Sequence, residues 1–142
     1  MANVTINQFK QLDIRIGTVV NAEVPKWSHW VIKLSVDIGL TGVDPSTPES
    51  DSVRSGRQKN TIVVFAGLLG FYKPEDLVGK QFPFIVNLEP KKIGPEGDYS
   101  QGMMLAGVEK LDKPVKVLDD ETDEKPVLLS PSGKVVNGTK VR

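Results

Sequence analysis

The 142-residue chain has no cysteine and a single histidine, His29. The first absence excludes disulfides, thiolate zinc sites and a cysteine nucleophile, and it suits a reducing compartment. The second excludes a multi-histidine metal centre, so neither a metal nor another cofactor is expected. Net charge is also missing: 18 Lys and Arg face 18 Asp and Glu, 12 against 12 in residues 1–110 and 6 against 6 in residues 111–142. That balance argues against a protein held to nucleic acid by bulk charge, and any such binding must rest on a local patch. The opening MANVTINQFKQ carries no basic-then-apolar leader. The longest mainly apolar run, TIVVFAGLLGF (Thr61 to Phe71), is too short to cross a bilayer as a helix. A soluble cytoplasmic protein with no membrane contact is expected. Phosphate loops of the Walker type and a strand-linked GxGxxG are both absent. Ser28 and His29 are adjacent, so on an extended chain they point to opposite faces and cannot pair as nucleophile and base. With no convergent set of roles, no enzymatic activity is expected.

What is present is alternation. Leu12 to Val24 places Leu12, Ile14, Ile16, Thr18, Val20, Ala22 and Val24 on one face, with a bend expected at Gly17. Trp30 to Ile38 sets Trp30, Ile32, Leu34, Val36 and Ile38 against Lys33, Ser35 and Asp37, so Trp30 is expected on the buried face. Residues 39–60, rich in Gly, Pro and Ser, read as a long mobile loop. TIVVFA (Thr61 to Ala66) reads as a buried strand, and KPEDLVGK as one short helix with Pro74 near its start and Gly79 past its end. Phe82 to Leu88 and Gly102 to Glu109 are two more strands, the first expected near an edge because Pro83 cannot donate to a ladder. The acidic run Asp119 to Glu124 reads as a solvated turn between the short apolar pieces VKVL and PVLL, with KVV following the turn signal SPSG. The expectation is an all-β fold: a five-stranded oligonucleotide-binding (OB-fold) barrel over residues 1–110 with one short helix, and a C-terminal strand extension over residues 111–142. A β-sandwich fits the same pattern.

One segment is more specific: NLEPKKIGPEGDYSQGMMLAG. A strand ends in Asn87, a loop carries Lys91 and Lys92, and a second strand opens with Ser100, Gln101 and the pair Met103 and Met104. This string resembles the tRNA-binding domain family, an OB-fold module found free as a structure-specific tRNA-binding protein, appended to methionyl-tRNA synthetases, and in CsaA-like export chaperones. The family's habitual wording is Asn-Leu-Lys-Pro, a basic pair, Gly, then Ser-x-Gly-Met-x-Leu-Ala. FKQLDIRIGTVVNAE, IKLSVDIG and YKPEDLVGKQFPFIVNL are similar to its first strand, second strand, and helix with fourth strand, so residues 9–109 are covered in order. Glu89 stands where Lys is common, the loop from Ile93 to Tyr99 is longer by about two residues, and VPKWSHW departs from the usual wording.

The resemblance implies tRNA binding without catalysis, with Lys33, Asn87, Lys91, Lys92, Ser100, Gln101 and Met103 as RNA-contacting residues. Ser100 and Met103 would both line the RNA surface, while Met104, one residue on, would face the core. As a plain reading of the residues, both Met103 and Met104 are gap-filling core side chains. Arg54, Arg57 and Lys59 could form a basic arm. The partners implied are tRNA, an aminoacyl-tRNA synthetase, and a second copy of the chain joined through the C-terminal extension. In the chaperone branch the partner is instead an unfolded preprotein. The polar faces of the first two strands offer Arg15, Asn21, Lys33 and Ser35 but no aromatic ring. A preference for folded tRNA over single-stranded RNA is therefore expected.

Overall fold

The computed structural model describes residues 2–28, 30–40, 59–95, 97–117 and 120–142. A four-residue helix α1 (Ile6–Phe9) comes first. Its start is a capping box in which the Gln8 N–H donates to Thr5 Oγ1 (3.1 Å) and the Thr5 N–H to Gln8 Oε1 (2.7 Å). The strands are β1 (Ile14–Glu23), β2 (Ile32–Leu40), β3 (Lys59–Ala66), β4 (Gln81–Ile85), β5 (Lys91–Lys92), β6 (Tyr99–Ser100), β7 (Met103–Met104), β8 (Ala106–Val117), β9 (Asp120–Leu128) and β10 (Lys140–Val141). The helix expected over 73–80 is a single 3-10 turn, Pro74–Asp76, capped by Asp76 Oδ2 accepting from the Lys73 N–H (3.1 Å) and closed by buried Leu77. Of the loop expected over 39–60, Gly39 and Leu40 end β2, Lys59 and Asn60 begin β3, and residues 41–58 lie outside the described residues, as does His29.

The main sheet runs β3-β2-β1-β4-β7, with β10 also pairing β1. It curls so that the segment entering β7 meets β3: the Gln101 N–H donates to Val63 O (2.8 Å), and Gln101 Oε1 accepts from the Val63 N–H (2.8 Å). This is the expected OB-like barrel rather than the sandwich that the same alternation fits. Its interior holds Val19, Ile32, Leu34, Val36, Val64, Leu77, Phe82, Phe84 and Met104. Gly17 is required where β2 crosses β1, because a Cβ there would lie 2.7 Å from Val36 Cγ1 and 2.9 Å from Asp37 O.

Three expectations are corrected. Val20 and Val24, expected on the buried face of β1, are exposed: a bulge lies between Val19 and Asn21, so that Val19 before it and Ala22 after it, three residues apart, face the same core. Trp30 is 60% exposed, because β2 begins only at Ile32 and the preceding turn is held by Ser28 Oγ, which accepts from the N–H groups of Trp30 and Val31. β4 is not an edge, for it lies between β1 and β7. Pro83 is tolerated there because its partner Ile16 spends its own N–H and C=O on Thr139 and Gly138. The Pro83 nitrogen faces the other side, where β7 is two residues long and only the Leu105 N–H reaches Pro83 O (3.0 Å).

The long hairpin β8–β9 pairs with itself, from Ala106 opposite Leu128 to Val117 opposite Asp120. A boundary at residue 110 therefore falls inside β8. The chain then returns to the barrel: Gln81 exchanges two hydrogen bonds with the Val135 backbone, and β10 joins β1. The KVV piece is held there without being a strand.

Candidate nucleic-acid interface

The outward side of β2 and β3 is built by register. Lys33 lies opposite Phe65 on β3 and opposite Glu23 on β1, while Ser35 lies opposite Val63. Directly opposed residues share a face, so Lys33 and Phe65 stand side by side. Lys33 Nζ is 3.7 Å from Glu23 Oε1, a loose and partly solvated ion pair. Beyond β3 the two-residue strands β5 and β6 form a ribbon, Lys91 opposite Ser100 and Lys92 opposite Tyr99.

An aromatic group closes this corner. Trp27 packs on Phe65, ring centres 5.8 Å apart and planes tilted by 40°. Its indole N–H donates to Asp98 Oδ2 (2.9 Å), which ties the segment after β1 to the loop of the ribbon. The Trp27 ring lies against Gly94, where a Cβ would sit 2.6 Å from Cε2 and Cζ2, so a larger residue there would displace the ring or the loop. The same loop is turned by Asp98 O, which accepts from the N–H groups of Ile93 and Gly94. Lys33, Val63, Phe65, Asp98, Tyr99 and Gln101 are among the residues lining an open hollow of about 410 Å³.

Of the seven residues expected to touch RNA, Lys33 and Gln101 line this hollow, and Lys91 and Lys92 form its adjoining strand, both exposed. Met103 and Met104 divide as expected: Met103 is 52% exposed and Met104 is 7% exposed, packed opposite Phe84. The placement of Ser100 on the outer surface is corrected. It is 8% exposed, and its hydroxyl accepts from the Phe65 N–H (3.1 Å) and donates to Gly102 O (2.9 Å), completing the closure of the barrel. Asn87 lies apart from the hollow residues, where it clamps the entry to β1: its Oδ1 accepts from the Asp13 N–H (2.8 Å) and its Nδ2 donates to Gln11 O (2.7 Å). The side chains of Arg54, Arg57 and Lys59 are outside the described residues.

Sequence reasoning missed Trp27, Phe65, Asp98 and Tyr99. Phe65 was within reach, because Thr61, Val63 and Phe65 alternate with the buried Ile62, Val64 and Ala66. The absence of aromatic rings expected for this surface is thereby corrected: they come from β3, β6 and the segment after β1 rather than from β1 and β2. Among the described residues no three acidic or histidine side chains are grouped to hold a metal ion, and no helix is long and apolar enough to cross a membrane.

A family model described as "Putative tRNA binding domain" matches residues 52–140. The methionine--tRNA ligase of Methanothrix thermoacetophila is 42% identical over 103 residues, 72% of this chain and 12% of the ligase. That of Methanococcoides burtonii is 37% identical over 123 residues, 87% of this chain and 15% of the ligase. The chain thus spans a small part of the length of the curated relatives it matches. Among solved structures, a MetRS-related protein from Pyrococcus horikoshii superimposes with a TM-score of 0.70 at 27% identity, covering 100% of both chains. The chaperone CsaA from Bacillus anthracis superimposes with a TM-score of 0.69 at 29% identity, covering 99% of this chain and 100% of that one.

Proposed function

The chain belongs to the tRNA-binding domain family, and from that membership we propose that it binds folded tRNA through the β2–β3 face and the β5–β6 ribbon, without catalysis of its own. The observation that carries this reading is the gathering of Lys33, Tyr99 and Gln101 around one open hollow, with Lys92 opposite Tyr99 on the adjoining ribbon. In a chain of zero net charge, a local basic and aromatic patch is the form that affinity for RNA must take. Met103 is exposed on β7 and is assigned to the same surface, Ser100 holds the β3 backbone at Phe65, and Asn87 holds the entry to β1 away from the hollow. The relatives are sections of methionine--tRNA ligases, which supports a role beside a synthetase in the cytoplasm, positioning or guarding tRNA.

The second reading is a CsaA-like chaperone for unfolded preproteins. It is favoured by the likeness to CsaA along nearly the whole chain and by the apolar part of the hollow, Val63 and Phe65. We further propose a homodimer, with residues 1–110 as the binding unit and residues 111–142 as the joining element. Val108, Val115, Val127 and Leu129 leave apolar surface exposed along or just beyond the hairpin. Ile6, Phe9, Leu12 and Val141 line a second hollow of about 310 Å³ between α1 and β10.

A gel shift against total tRNA, run beside an assay for holding a denatured protein, separates the two functions. A shift that weakens with salt is expected. Absence of a shift together with suppression of aggregation would hand the site to the chaperone reading.

A further inference from the structure

We propose that the hollow between β2, β3 and the β5–β6 ribbon is a slot for one unstacked nucleobase of the bound RNA, a proposal that rests on the tRNA-binding reading and deepens it. A base taken out of its stack needs a π-face to lie on, partners for its polar edge, and a cation near its phosphate. The hollow supplies each of these. Phe65 and Tyr99 are rings in its lining, Phe65 packs against Trp27, and Tyr99 is 49% exposed. Gln101 Oε1 is engaged by the Val63 N–H, which fixes the amide and leaves its NH₂ group to donate. Asp98 is held through Oδ2 by the Trp27 indole, which leaves its second carboxylate oxygen to accept. Lys33 is only loosely paired with Glu23.

The chemistry favours a base over an apolar peptide side chain. An apolar group seated there would cover the Asp98 carboxylate and the Lys33 ammonium while offering them no partner. A base brings donors and acceptors on its own edge. The register also divides the lysine pair. Lys92 is opposite Tyr99 and shares its face, whereas Lys91 is opposite Ser100, whose side chain is buried in the barrel wall. Lys92 is the cation that flanks the slot.

Binding of total tRNA by the full chain, by Tyr99→Leu and by Tyr99→Phe, each over a series of salt concentrations, tests the slot. Tyr99→Leu is expected to weaken binding about 5- to 150-fold, the loss of one stacked base. Its log K against log salt slope should stay unchanged, and Tyr99→Phe should bind as the parent does. Unchanged tRNA affinity in Tyr99→Leu would overturn the slot while leaving tRNA binding standing. Equal losses in both variants would also overturn it, because the hydroxyl rather than the ring would then be the contact. Unchanged tRNA affinity with weakened holding of a denatured protein would give the hollow to a peptide side chain. A parent chain that does not bind tRNA would overturn the functional reading itself, and the slot with it.

Discussion

The barrel face around Phe65 and the β8–β9 hairpin are both antiparallel surfaces with exposed apolar side chains, yet they are made of different material. The first combines Trp27, Phe65 and Tyr99 with Lys33, Lys92 and Gln101, and its backbone is locked by side chains that substitute for a missing strand partner. The second contains no aromatic residue from Ala106 to Arg142, and its exposed apolar groups are aliphatic: Val108, Val115, Val127 and Leu129. Rings with polar edges and nearby cations suit a partner that is flat, charged and rich in hydrogen-bonding groups. Aliphatic strands suit another protein surface. On the proposed reading, one small chain separates a face for RNA from a face for a second copy.

The sharpest way to break the comparison is through the core, which lies in the first region and which the hairpin meets through Leu128. Phe84→Ala, at a fully buried position on β4 beside β7, is expected to cost about 3–5 kcal/mol in urea unfolding. Val108→Ala, 67% exposed on the hairpin, should stay within about 0.5 kcal/mol. A loss at Val108 as large as the core one would mean that its side chain packs like a core residue, beyond the contacts that the hairpin makes with the barrel through Leu128 and through Pro126 O, which accepts from the Tyr72 hydroxyl. Replacing residues 108–126 by an Asn-Gly turn should halve the mass seen by light scattering while the barrel remains folded. An unchanged mass would remove the hairpin from the dimer. A cut after Asp112 is a poorer test, because it also removes β10 and the Val135 contact with Gln81.

Ser100→Ala separates support from contact. Leaving the Phe65 N–H without its acceptor is expected to cost about 1–3 kcal/mol of stability. Met103→Ala should cost little, since its side chain is half exposed, and should lower tRNA affinity. An Ser100→Ala protein of full stability and reduced affinity would put the hydroxyl back on the RNA. The smallest effect is electrostatic: Lys92→Ala should shallow the log K against log salt slope by about 0.7–0.9 if it meets one phosphate. Lys91→Ala should do so less, and equal slopes would undo the division of the pair by register.

How much of this was legible depended on whether a residue's role is set along the chain or across it. The alternation of β2 identifies Ile32, Leu34, Val36 and Ile38 because one uninterrupted strand has one phase. In β1 the same reasoning fails at Val19 and Val20, beside a bulge that is specified by the partner strand as much as by its own sequence. Trp30 was misplaced by extending a phase backward through a turn that Ser28 holds. Pro83 reads as an edge signal until β7 proves too short to need its nitrogen. The capping box of Thr5 and Gln8 was in plain view as Thr-x-x-Gln and went unused. In the candidate site, the wording around Ser100 and Met103 pointed to the correct segment. The hollow itself needs Trp27, Phe65 and Asp98, which are up to 71 residues apart in sequence and meet only when the sheet curls.

The correction to the aromatic inventory changes the reason for preferring folded tRNA, though not the expectation. One hollow takes one base, so stacking contributes alike to folded and unfolded RNA. Discrimination then falls to the fixed array of phosphates and hydroxyls that a folded tRNA presents.

The most direct measurement is backbone hydrogen–deuterium exchange of the full chain with and without total tRNA. Protection confined to β3 and to the segment from Lys91 to Gln101, with β8 and β9 exchanging as in the free protein, is the predicted result. Protection of β8 and β9 with none at residues 91–101 would contradict the assignment of the two faces.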